Sequence, residues 1–221
     1  MADALLKIRD YEFPMEFNDT TRVYFAKEGA MRHDAVGDAM IKLAANPGDK
    51  EAEARVNTDK MLHSMLRTTC VGTLIEGGHA LNALPQSVTV NVNCRMFPGH
   101  TKEETQAMLE KAIGNPAIKL DPRKKDKPIA KVPPLDPAIV GPMEKLVAKW
   151  FPGVPMIPTM STGATDGVYL GAVGIPTYGA PGIWDDPDFN GIHGLNERME
   201  VKSLYTGRDF LYDLVKELAS K

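Results

Sequence analysis

The spacing of apolar positions changes along this 221-residue chain, and the changes mark out its segments. ADALLKIRD, at the start, has the spacing of the last turns of an amphipathic helix whose beginning is expected to lie upstream. Residues 18–66 are rich in Ala, Met, Lys and Glu, with apolar positions at helical intervals (Met40, Leu43 and Ala44; Met61, Met65 and Leu66) and a break at NPGD, 46–49. This predicts a few short helices. TTCVGTLIEGG, 68–78, and PQSVTVNVNCRMF, 85–97, read as strands. The second alternates strictly, with Val88, Val90, Val92 and Cys94 on one face and Thr89, Asn91, Asn93 and Arg95 on the other. Such a sheet buries one side and offers the polar side to solvent or a ligand.

TKEETQAMLEKAI follows, where Thr101 and Glu104 have the spacing of a capping box and Ala107, Met108, Ala112 and Ile113 form an apolar stripe. AIKLDP, 117–122, reads as a further strand. The order strand, strand, helix, strand after a helix remnant predicts an α+β sandwich without its first strand. Pro-rich IAKVPPLDP, 129–137, marks a domain boundary. Beyond it the pattern alternates: helix 138–151, strand 153–159, helix about 166–173, strand 175–179, a long loop, and a helix over 200–219 with Leu204, Leu211, Leu214, Val215 and Leu218 on one side. Alternation of this kind predicts a parallel or mixed α/β layer.

Composition narrows the function classes. Lys plus Arg (26) against Asp plus Glu (29) leaves a net charge of -3, without the basic footprint of a nucleic-acid binder. The basic run DPRKKDKP, 121–128, is interleaved with Asp and Pro and reads as a solvated loop or linker. No apolar run is long enough to span a bilayer, and the start has early acids, unlike a signal peptide. Nothing here assigns a compartment. Cys70 and Cys94 are too few for a disulfide scaffold or a thiolate zinc cluster. Both lie in apolar runs and read first as buried reduced thiols. A pairing stays open, because a hairpin centred on Asn82 would set the two face to face.

Three groups of residues could carry chemistry. His193 stands between glycines in NGIHGLNERMEV, 190–201, where neutral imidazole could meet a metal ion, or simply satisfy a loop carbonyl. Asn196 and Glu197 could support it or cap the following helix. MSTGATDG, 160–167, lies between an apolar segment and a helix. The hydroxyls of Ser161, Thr162 and Thr165 and the amides around Gly163 could cradle a carboxylate, while Asp166 could be a plain N-cap. Third, Asn82 lies in a strand connection and Arg95 ends a strand on its polar face, where a guanidinium can hold a carboxylate bidentately. His79 reads as a turn residue, and Glu103 and Glu104 as a solvated helix start.

Taken together, NALPQSVTVNVNCRMFPG, STGATDG, GIPTYGAPG and NGIHGLNERMEV resemble the zinc metallopeptidase family of aminoacylase, carnosinase, bacterial glutamate carboxypeptidase and succinyl-diaminopimelate desuccinylase. The resemblance implies a ferredoxin-like α+β dimerisation (lid) domain over 1–128, its first strand missing and a helical insertion at about 10–66, then the C-terminal part of an α/β catalytic domain over 129–221. It implies that His193 is a zinc ligand, that Asn82 and Arg95 reach a substrate in the partner subunit's site, and that Thr162, Gly163 and Thr165 hold the substrate's carboxylate end. The complete enzyme would use two zinc ions and a glutamate base to hydrolyse dipeptides or N-acyl amino acids as a homodimer. The remaining ligands and the glutamate are expected before Met1, so this chain alone is expected to be inactive. The competing expectations are a non-catalytic homodimerisation module and a small-molecule binding domain without zinc.

Overall fold

The computed structural model describes residues 1–122 and 127–220. The centre of the DPRKKDKP cluster, 123–126, lies outside the described residues. The chain divides into two compact units: residues 1–132 with 158–176, and residues 133–157 with 177–221.

In the first unit α1 (Ala2–Asp10) is followed by four short helices, α2 (Asp19–Arg32), α3 (Ala35–Ala45), α4 (Lys50–Val56) and α5 (Lys60–Met65). Each start is set by a side chain that accepts an otherwise orphaned amide. Asn18 and Thr21 form a reciprocal capping box on α2, and Asp34, Asp49 and Asp59 cap α3, α4 and α5. The helices enclose Phe25, Met40, Leu43, Val56, Leu62, Met65 and Leu66, all buried. Met61 is not among them: it is exposed, and Leu62 faces inward in its place. α2 and α3 cross at Gly29 and Gly37, where a Cβ on either residue would lie 2.8 or 2.6 Å from the other's carbonyl oxygen. Only glycine permits that approach.

The two predicted strands form an antiparallel pair, β1 (Thr69–Gly77) and β2 (Val88–Arg95). Cys70 lies opposite Cys94, the register expected of a hairpin centred on Asn82. The reading of the two as reduced thiols is corrected: they are joined in a disulfide. Val92 and Cys94 turn towards a core of Ala4, Ile8, Phe13, Leu109 and Ile113, contributed by α1, the segment after it and α6 (Lys102–Ile113). The Thr101–Glu104 capping box of α6 is present as expected. Its buried line is Thr105, Leu109 and Ile113, one step round from the stripe read in the sequence, and Ala107 is exposed.

No strand forms at 117–122. The amides of Ala117 and Ile118 bond back to Asn115 in a turn, and among the described residues no strand lies beside the segment to pair with it. Ile118 and Leu120 nevertheless pack on the same core as Cys70 and Cys94. The fold class is α+β, helices packed on a small antiparallel sheet.

In the second unit α7 (Pro137–Trp150) packs on α9 (Val201–Ala219) through Met143, Leu146, Phe210 and Leu214. Asp136 caps α7, with proline at its first position, where no amide is lost. The segments 153–159 and 175–179 are not strands among the described residues, so the α/β layer expected beyond 129 is not formed. A strand exists only with a hydrogen-bonded neighbour. Met156 and Tyr178 still lie against the α7–α9 core. The buried line of α9 is Ser203, Gly207, Phe210 and Leu214, while Leu204, Leu211 and Val215 are exposed. Glycine at 207 turns that face inward, because it lets the chain at 181–183 approach the helix closely.

Candidate functional site

The candidate residues fall in different units: Asn82, Arg95, Thr162, Gly163 and Thr165 in the first, His193 in the second. Asn82 lies in the exposed connection between β1 and β2, flanked by the fully exposed Leu81 and Leu84. Arg95 ends β2 opposite Thr69 and is exposed, with no ion pair among the described residues. Its guanidinium is free to meet an anion. Residue 97 anchors the strand's end, as the Phe97 amide donates to Thr68 Oγ1 at 2.9 Å.

The bend at 161–166 is exposed and leads into α8 (Gly167–Ala172). Two of its amides are satisfied internally, Gly163 donating to Ser161 Oγ at 3.1 Å and Gly167 to Thr165 Oγ1 at 2.9 Å. Asp166 holds the N-cap position of α8 but makes no side-chain cap, and the Thr165 hydroxyl accepts the Gly167 amide instead. A carboxylate bound here would have to displace these hydroxyls.

His193 is exposed and lies in the left-handed region, φ 62°, a conformation that costs a non-glycine residue about 1 kcal/mol. The loop that holds it is organised by buried Asn190, itself at φ 58°. Asn190 accepts from the Asp186 amide at 2.8 Å and donates to Asp185 Oδ1 at 2.6 Å. Its carbonyl accepts from the Arg198 amide at 3.0 Å. Arg198 closes the loop from the far side, bonding Asp186 at 3.0 Å and gripping both oxygens of Asp188 at 2.9 and 2.8 Å. Asn196 and Glu197 do not cap α9, which starts after Glu200. The Glu200 carboxylate instead accepts from the Trp184 indole at 2.7 Å. Sequence reasoning missed the Asn190–Arg198 frame, whose one signal is three acids and an arginine around the histidine.

Arg198 holds the Asp188 carboxyl below its usual range, by hydrogen bonding first and charge second. A carboxyl depressed by folding contributes stability above its unfolded value and loses it as pH falls through the folded value. Acidification through that range should therefore release Arg198. Exchange at the amides of Asn190 and Arg198 should rise before that of α9, as NMR would show, and amides that stay protected once Asp188 is protonated would refute the frame.

No group of three His, Cys, Asp or Glu side chains among the described residues is placed to hold a metal ion. One imidazole falls short of the three protein ligands of a catalytic zinc.

Helices packed against the root of a strand pair, with an exposed arm beyond it, make an α+β domain. The peptidase dimerisation domain model matches residues 1–121, and the chain belongs to that family. Among curated proteins it is similar to the human N-fatty-acyl-amino acid synthase/hydrolase PM20D1, 26% identical over 160 residues, or 71% of this chain and 32% of that one. It is also similar to a probable carboxypeptidase S-like 2 of Dictyostelium discoideum, 22% identical over 162 residues, 73% of this chain and 31% of that one. The chain thus spans about a third of the length of these relatives. The crystal structure of the metallo-carboxypeptidase Sso-CP2 from Sulfolobus solfataricus superimposes with a TM-score of 0.62 at 16% identity, over 99% of this chain and 52% of that one.

Proposed function

We propose that this chain forms a homodimer through residues 1–128 and carries substrate-gripping positions of a zinc-dependent hydrolase for dipeptides or N-acyl amino acids with a free carboxylate. The family match over 1–121 carries this reading. The names of the two relatives support the substrate class, since each denotes chemistry at an amide of an amino acid. Arg95 supplies a bidentate donor for the carboxylate, and Asn82 a neutral hydrogen-bonding partner. Thr162 and Thr165 offer hydroxyls to the same end of the substrate, and the Gly163 amide joins them once the Ser161 hydroxyl gives way. Residues 129–221 then belong to the catalytic part, with His193 as a zinc ligand. The residues in hand do not by themselves fit a zinc site, so the chain alone is expected not to hydrolyse such amides.

A second reading, a homodimerisation module without catalysis, is favoured by the match stopping within the first unit. Sedimentation should give twice the chain mass of 24.2 kDa, and calorimetric titration should show no stoichiometric zinc binding. A monomer would defeat both readings. Tight zinc binding with turnover of an N-acyl amino acid would overturn the expected inactivity. Restored turnover when the remainder of a related peptidase is supplied, lost again in Arg95→Ala, would favour the first reading over the second.

A further inference from the structure

From residue 71 to residue 87 every position is exposed. This arm comprises most of β1, the connection bearing Asn82, and the approach to β2. Val71, Leu74 and Ile75 of β1 are 60, 58 and 66% exposed, and what cover the ribbon has lies on β2, where Val88, Val90 and Val92 are half-buried. A two-stranded ribbon packed only near its root is marginal in water. Its register is also weakly specified. Gly72 and Gly77 present no side chain, and a bulge shifts the pairing from Gly72 with Val92 to Leu74 with Asn91.

At the root of the arm Cys70 and Cys94 are directly opposed and bonded. Both are half-buried and pack on the cluster that holds Leu109 and Ile113. Below them the chain is held by other means: Phe97 bonds Thr68, the Glu16 amide bonds the Leu66 carbonyl at 2.8 Å, and the α2–α5 core is complete in itself. The bond therefore sits at the border between a well-packed body and a sparsely packed ribbon.

We propose that the Cys70–Cys94 disulfide is a redox-sensitive clasp for the arm: closed, it fixes one register; open, the ribbon beyond Gly72 frays while the helical body stays folded. Opening needs an external dithiol. Its thiolate attacks one sulfur to form a mixed disulfide and release the other cysteine as thiolate, and its second thiol then closes a ring. Two electrons and two protons pass to Cys70 and Cys94, and the dithiol leaves oxidised. Disulfides persist in oxidising compartments and are reduced in others, so the arm's order would report its surroundings. That the arm also presents Asn82 to a partner subunit rests on the function proposed above; the clasp itself does not.

Hydrogen exchange on the full chain, read by mass spectrometry with and without dithiothreitol, tests this. Alkylation should label neither cysteine before reduction and both after it. On reduction, exchange over 71–77 and 88–90 should quicken about tenfold or more while α2–α5 stay protected, and reoxidation should restore the arm. The Cys70→Ser, Cys94→Ser double variant should exchange at the reduced rate under both conditions. Should that variant not fold, the reduced and reoxidised wild-type chain decides. Two free thiols under oxidising buffer, or an arm that exchanges equally in both states, would overturn the clasp. Sedimentation of the same samples separates the two ideas. A monomer with a thiol-sensitive arm defeats the dimer reading and supports the clasp, and a dimer with an insensitive arm does the reverse.

Discussion

Gly207→Val is expected to disrupt the second unit while leaving the first folded. A Cβ at position 207 would lie 2.3 Å from Ile183 Cγ2 and 2.9 Å from the Pro181 carbonyl oxygen. Ile183 can shift, but the carbonyl is backbone and moves only with the segment 180–184. Two effects compete. Replacing a mid-helix glycine of α9 relieves up to about 1 kcal/mol of poor helix propensity, whereas overpacking against fixed backbone costs about 3 kcal/mol or more. The clash wins, and valine, with a branched Cβ, makes it worse than alanine would. Separation of α9 from 180–184 would also break the Ser203 hydroxyl's paired bonds to the Trp184 backbone, 2.8 and 2.9 Å. Both tryptophans, Trp150 and Trp184, lie in the second unit, so their fluorescence reports on it alone. Their unfolding midpoint should fall steeply, with helical circular dichroism from α2–α5 retained. A variant whose tryptophan transition coincides with wild type would show that 181–183 does not lie against α9 as described.

The elements legible in the sequence were those defined by local chemistry. Thr101 and Glu104 announced the start of α6, NPGD separated α3 from α4, and alternation from Val88 to Cys94 gave β2 and its inward face. The signals that failed were those needing a neighbour. The apolar runs at 117–122, 153–159 and 175–179 have strand composition, yet composition cannot supply the adjacent chain whose amides and carbonyls a strand requires. α9 failed differently: it is apolar on more than one side, and glycine at 207, which a periodicity count treats as blank, decides which side is buried.

Around the candidate residues, local bonding was not legible in the sequence. His193, Asn82 and Arg95 are exposed. That the Thr165 hydroxyl rather than Asp166 accepts the Gly167 amide, and that Arg198 reaches across to Asp186 and Asp188, depends on turns whose geometry residue types alone do not fix.

The buried Arg67 gave no sequence signal, and it is where the largest effect in the first unit is expected. Its side chain is 1% exposed and lies 3.0 Å from Glu53 on α4. Glu12 is within ion-pair range at 3.5 Å but 65% exposed, and Nε and NH1 of Arg67 make no hydrogen bond. Among the described residues Glu53 is thus the one hydrogen-bonded anion facing a desolvated cation. Glu53→Ala should destabilise the chain by about 3–5 kcal/mol, because it strands that charge in the interior. Arg67→Met removes the charge and keeps most of the volume, so it should cost less. The Glu53→Ala, Arg67→Met double variant should then be more stable than Glu53→Ala alone, a non-additivity that denaturant titration followed by circular dichroism can measure. Costs that simply add would mean that the two side chains do not interact. Arg67 is followed directly by Thr68, which receives the Phe97 amide beyond β2, so one residue pair joins the helical insertion to the root of the arm. Loss of Glu53 should therefore loosen the β1–β2 root as well as α4, and exchange at the Phe97 amide should rise together with that of α4.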